Sequence, residues 1–129
     1  MDELKFVLDL SPRTKKNSQQ ILTNKKTGRS FIAPSGAYKA YEKAALSLIP
    51  KGVRVGIDYP VEVKYLFYME THRIVDLLGL EQAADDIMVK AGVIKDDNSR
   101  IVASHDGSRV MYDKEHPRTE IEITRMEGI

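Results

Sequence analysis

Apolar and polar residues alternate from Pro60 to Met69. Val61, Val63, Tyr65 and Phe67 fall on one side, and Glu62, Lys64, Leu66 and Tyr68 on the other. A period of two predicts a β-strand, and apolar residues on both faces toward its end predict a central one. Further along, the period changes. Leu77, Leu80, Ala83, Ala84, Ile87, Met88 and Ala91 form one stripe roughly 140° wide when wound as a helix. This predicts a helix from about Leu77 to Ala91, with Gly92 as the residue that closes it.

The same reasoning covers the rest of the chain. Lys5–Leu10 reads as a first strand, followed by a polar, basic loop over Ser11–Ser18. Gln20–Thr23 and Ser30–Ala33 read as a hairpin around Asn24–Arg29, whose Asn and Gly suit a tight turn. A helix starts at Pro34-Ser35, with Ser35 as its N-cap, carries Tyr38, Tyr41, Ala45, Leu48 and Ile49, and stops at Pro50 and Gly52. Arg100–Ser104 and Arg109–Tyr112 read as strands around Asp106-Gly107, and Thr119–Thr124 as the last strand. The order predicts an α+β fold, a mixed β-sheet with two main helices packed on it, in one domain over residues 1–129.

Charge sharpens this picture. The net charge of +1 hides +6 on residues 1–60 and −5 on the remainder, a segregation that points to nucleic-acid contact. From Ser11 to Arg54 the only acid is Glu42. The absence of cysteine excludes disulfides, thiolate-bound metals and thiol nucleophiles, and fits a cytoplasmic location. No apolar run approaches the roughly 20 residues that span a bilayer, so no membrane partner is expected. The acidic start, MDELKFVLDLSPR, lacks the basic and apolar regions of a signal peptide.

The acids of the second half are concentrated. Asp76, Glu81, Asp85, Asp86, Asp96 and Asp97 fall within 22 positions. Asp76 lies at the helix start, where free N–H groups favour a carboxylate. Asp86 lies on its polar side beside Lys90, and Asp96-Asp97 follows the apolar return Val93-Ile94. Helix start, helix face and loop are therefore expected to converge. Gathered carboxylates without basic partners call for a cation, and Mg²⁺ needs only a few of them plus water and substrate phosphate.

Arg73, Asp76, Leu77, Leu80, Ala83, Asp86, Ala91-Gly92 and Asp96-Asp97 match, in register and without gaps, the pattern R-x-x-D-L-D-N-L-x-K-A, helical Asp, A-G-x-x-x-D-D. This segment resembles the RusA family of Holliday junction resolvases. The loop Pro12–Asn17 and the tract Lys39–Ala45 extend the resemblance more weakly, so that it covers most of the chain. It implies a RusA-like homodimer of phage or prophage type. It also implies an endodeoxyribonuclease that uses Mg²⁺, or Mn²⁺ in its place, to resolve four-way DNA junctions in recombination and repair. The catalytic and metal-binding carboxylates would be Asp76, Asp97 and Asp86, with Glu81 and Asp96 as further ligands. Three positions depart from the pattern: Leu78 for the second Asp, Gly79 for the Asn and Gln82 for the catalytic Lys. Glu81 and Asp85 lie on the same side of the helix as Leu78, so either is a candidate to replace the missing ligand. The departures leave two alternatives, a junction-binding protein with weakened or lost cleavage and a broader branched-DNA or flap nuclease.

For DNA contact the candidates are Arg13, Lys15, Lys16, Asn17, Lys25, Lys26, Arg29, Arg73 and Arg109. His105-Asp106-Gly107-Ser108 reads as a turn, since three residues in one turn do not make a nucleophilic triad. The tyrosines at 38, 41, 65 and 68 read as packing.

Overall fold

The computed structural model describes residues 2–15, 19–34 and 36–128, with the backbone alone at 19–22 and 31–34. Its strands are β1 (Glu3–Leu8), β2 (Gln19–Thr23), β3 (Ser30–Pro34), β4 (Val61–Met69), β5 (Val102–Ser104), β6 (Arg109–Tyr112) and β7 (Arg118–Arg125). The helices are α1 (Gly36–Leu48) and α2 (Leu77–Lys90), with a 3-10 turn at Lys51–Val53. The expected elements are present in the expected order, and the first strand begins and ends two residues early. The expected cap Ser35 lies outside the described residues, as do Lys16 and Asn17.

β4 is central, as its two-sided apolar character requires. It runs antiparallel to β7, which in turn pairs antiparallel with β1. On its other side β4 runs parallel first to β5 and then to β6, so the sheet is mixed and those two short strands share one edge. β2 and β3 form a separate antiparallel ribbon. Its tip is ordered by the Asn24 side chain, which accepts the N–H of Lys26 at 2.9 Å, and by Gly28 in the left-handed region at φ 70°.

The core lies on one face of the main sheet. Val61, Val63, Tyr65 and Phe67 of β4, Ile121 and Ile123 of β7 and Leu8 of β1 pack with Ala45 and Ile49 at the α1 end, with Leu80, Ile87 and Met88 of α2 and with Ala91 just beyond it. The expected stripe of α2 is thus its buried face. Beyond α2, Gly92 closes the helix at φ 78°, and Val93 and Ile94 are fully buried. Backbone bonds from Ile57 N–H to the Val93 carbonyl (3.0 Å) and from Lys95 N–H to the Ile57 carbonyl (2.8 Å) tie this return to the fold and deliver Asp96-Asp97 to the surface. On the other sheet face charge sets the order, with Glu122 of β7 between the exposed Lys5 of β1 and the half-buried Lys64 of β4.

The shared edge has a break with consequences for the site. Ser104 is in register with Glu62, and Arg109 with Leu66, so the edge carries one residue more than β4 between these points. The extra residue leaves no regular ladder opposite Val63 and Tyr65. Side chains of the turn replace it. His105 Nδ1–H donates to the Val63 carbonyl at 2.9 Å, and Ser108 Oγ accepts the Tyr65 N–H at 2.9 Å. Gly107 makes the turn tight enough: its φ is 86°, and a Cβ there would stand 2.8 Å from Lys64 Cδ. Gly107→Ala is expected to destabilise the fold by about 1–2 kcal/mol, the usual penalty of a left-handed L-residue, measured by urea unfolding.

Candidate functional site

α2 carries two acidic systems on different faces. Asp85 and Asp86 are neighbours in sequence, but successive helical positions point about 100° apart. Asp86 faces Lys15 at 3.0 Å and Lys90 at 3.2 Å, and Lys90 also pairs with Glu42 of α1 at 3.0 Å. Burial works against the Asp86 charge, but the two ammonium groups outweigh it and hold the carboxyl below its usual range. The structure therefore joins two candidates given separate roles from sequence: Lys15 is paired with Asp86 instead of standing free.

Asp85 turns the other way, toward the broken sheet edge. Its Oδ1 accepts the Tyr65 hydroxyl at 2.7 Å, and its Oδ2 lies 2.7 Å from His105 Nε2. The imidazole is held at both nitrogens, because its Nδ1–H is directed to the Val63 carbonyl. Burial disfavours the imidazolium, yet the bond and charge of Asp85 prevail and raise the His105 pKa above its usual value. Burial and the Asp85 charge together push the Tyr65 hydroxyl well above its usual range.

Glu81, one turn before Asp85, is in a different condition. Its side chain is 10% exposed, its Oε2 lies 3.8 Å from His105 Nδ1, and among the described residues it accepts no hydrogen bond. Burial raises its pKa; His105 opposes that rise and Asp85 adds to it. In the loop beyond α2, Asp97 is likewise raised by burial, by its hydrogen bond with Asp96 and by the charge of Asp85. Asp97 N–H donates to Asp96 Oδ1 at 2.7 Å.

Asp76 occupies the N-cap position of α2, but its side chain makes no capping hydrogen bond. A Cβ on Gly79 would stand 3.4 Å from both Asp76 Oδ2 and Thr14 Cγ2, so this glycine lets the carboxylate and the β1–β2 loop approach each other. Thr14 lines a groove of about 470 Å³ with Pro12, Arg13, Glu70, Arg73 and Ile74. Neither Arg13 nor Arg73 forms an ion pair with an acid among the described residues. Lys25, Lys26 and Arg29 are exposed at the ribbon tip, and Arg109 is exposed on the sheet edge.

The expected convergence needs correction in one respect. Among the described residues no three His, Asp or Glu side chains are gathered to hold a metal ion, and Asp86 belongs to the lysine-bound face. Asp76, Glu81 and Asp97 remain for the role. Mg²⁺ commonly takes only one or two protein carboxylates, completing its shell with water and phosphate, and a desolvated carboxylate without a hydrogen bond suits such an ion. Sequence reasoning missed His105 and Tyr65 as parts of this site. The signal lay in the polar turn His105–Ser108 facing a central strand, where unpaired backbone groups had to be met by side chains.

No protein-family model matches the chain, and no curated protein is significantly similar to it.

Tyr65→Phe preserves the core volume and removes the hydroxyl from Asp85. It is expected to lower stability by about 1.5–3 kcal/mol, as for a hydrogen bond to a charged group, read by chemical unfolding. A raised His105 pKa stabilises the fold fully below the unfolded value of 6.5, and that stability is lost as pH rises through the folded value. Unfolding free energy should therefore fall from roughly pH 6.5 upward, and His105→Gln should flatten that fall.

Proposed function

We propose that the chain is a Mg²⁺-dependent endodeoxyribonuclease acting on branched DNA, four-way junctions foremost, as a homodimer. The observation that carries this reading is the carboxyl of Glu81, nine-tenths buried and without a hydrogen bond, on the helix whose start adjoins the arginine groove. Glu81 lies five residues beyond Asp76, about 7.5 Å along the helix axis. The RusA-like pattern over Arg73–Asp97 supports the same conclusion from the sequence side.

In this reading one or two of the carboxylates Asp76, Glu81 and Asp97 would hold the cation, with water and substrate phosphate completing its shell. A bound Mg²⁺ supplies polarisation of the scissile phosphoryl group and a water of lowered pKa. Arg13 and Arg73 seat the adjacent phosphates in the groove, and Lys25, Lys26, Arg29 and Arg109 contact the backbone farther out; phosphate contacts of this kind fix register rather than read sequence. Each protomer then cuts one strand, and two sites give paired cuts.

A second reading has specific support. Leu78 is 67% exposed and Gln82 is exposed, so the positions where the pattern has an acid and a lysine face solvent with uncharged groups. A protein that binds junctions without cutting them fits that surface.

A labelled four-way junction titrated with Mg²⁺ tests both. Paired nicks are expected only with the metal, and Asp97→Asn should remove them while binding persists. Arg13→Ala with Arg73→Ala should weaken binding and reduce the salt slope by about two contacts' worth. Binding without nicks at any Mg²⁺ concentration supports the second reading, equal cutting of flaps supports a broader nuclease, and salt-insensitive binding rejects the phosphate contacts.

A further inference from the structure

The linker between β4 and α2 and the end of β6 place two aromatic rings face to face at the surface. The rings of His72 and Tyr112 are stacked, with centroids 3.8 Å apart and planes 28° apart. Both residues are exposed, and Tyr112 shows 44% of its surface to solvent. The backbone holds them there. Tyr112 is in register with Met69, the last residue of β4, and Asp113 N–H donates to the Met69 carbonyl at 2.9 Å. In the linker, Arg73 N–H donates to Thr71 Oγ1 at 3.4 Å. Ring faces left in water gain by being covered, and a planar ligand covers them best.

The pair borders a concavity of about 340 Å³. Met69, Thr71 and Arg73 line this concavity and the arginine groove alike, so the two hollows meet along one wall. The groove carries two arginines, Arg13 and Arg73, against one acid, Glu70. One hollow thus suits a phosphate, and its neighbour suits a planar ring.

We infer that the His72–Tyr112 concavity binds an unpaired nucleobase whose phosphate lies on Arg73. The inference deepens the DNA reading above and rests on its assignment of the arginine groove to phosphates. Within a duplex each base is stacked on both sides, and a protein ring can meet only its edge. An unpaired base offers its whole face. Every base has such a face, so an aromatic platform selects the state of the strand and not its sequence. Drawing a base out costs least where pairing is already broken, as at a branch point. The platform then gives a preference for branched DNA through residues that hold no metal and cut no bond.

Fluorescence anisotropy of the full chain without Mg²⁺ tests this with labelled probes at one salt concentration. The probes are a single strand of mixed sequence, the same strand with abasic sites in place of its bases, and a four-way junction. The two single strands carry the same phosphates and differ only in their rings. The wild-type chain is expected to bind the strand with bases at least about fivefold tighter, the lower end of what one stacked base contributes. Tyr112→Leu should remove that difference, whereas Tyr112→Phe, which keeps the ring, should retain it. Arg73→Ala should weaken binding of both strands and lower the salt slope by about one contact. Thermal melting shows whether each variant is folded, and if Tyr112→Leu is not, His72→Leu takes its place. Equal binding of both strands by the wild-type chain overturns the inference. So does an undiminished base preference in Tyr112→Leu, or wild-type binding in Arg73→Ala. A wild-type dimer that Tyr112→Leu splits, read by sedimentation, assigns the patch to a second copy and overturns it too. A chain that binds none of the probes rejects the DNA reading itself, a result distinct from these.

Discussion

A β-strand at the centre of a sheet has N–H and C=O groups on both sides, and each buried one must be paired. β4 meets this demand fully against β7, where eight consecutive residues are in register. Against the opposite edge it does not, because β5 ends at Ser104 and β6 begins at Arg109. The Val63 carbonyl and the Tyr65 N–H fall in the gap, and an unpaired buried group costs about 1–3 kcal/mol. His105 and Ser108 fill it with side chains. Once the imidazole is bound to the strand by one nitrogen, its other nitrogen is directed at α2. The position of Asp85, and with it the course of the acidic face, depends on that one repair of the ladder.

Electrostatics along α2 follow from the same geometry. Asp86 is drawn below its usual pKa range by Lys15 and Lys90, whereas Glu81 is pushed above it by burial. Two carboxyls on one helix are thus prepared for opposite behaviour by their surroundings. The lysine-bound acid ties the β1–β2 loop to the helix and keeps Thr14 close to Gly79, which holds the arginine groove next to Asp76. One face of α2 therefore positions the groove while another presents the acids.

Period and punctuation carried most of the fold. The alternation of β4 and the stripe of α2 were legible because burial repeats with the geometry of each element, and Gly92 and Gly107 marked real positive-φ positions. The early start of β1 was less legible: Glu3 looks like a solvent residue, and only its pairing with Thr124 shows it to be strand. In the site, local spacing misled where partners were distant. Asp86 was grouped with Asp76 and Asp97 because it matches the pattern's helical Asp; its partner Lys15, 71 residues away, is invisible to that match. His105 was read as a turn residue, which its backbone is. Its side chain belongs to contacts 20 and 42 residues away that no local pattern encodes. Tyr65 was read as core, which is also true of its ring; only the hydroxyl leaves the core for Asp85.

The departures from the RusA-like pattern acquire a physical meaning in this arrangement. At position 78 a carboxylate would stand in solvent, as the exposed Leu78 now does. A carboxylate at position 81 is desolvated, so its charge is poorly screened and acts more strongly on a cation beside it. The same desolvation makes the empty site less stable, because a buried charge without a partner is disfavoured. A carboxylate in such a place needs a nearby positive or polar group, held firmly by the rest of the fold. His105, fixed between Val63 and Asp85, meets both conditions.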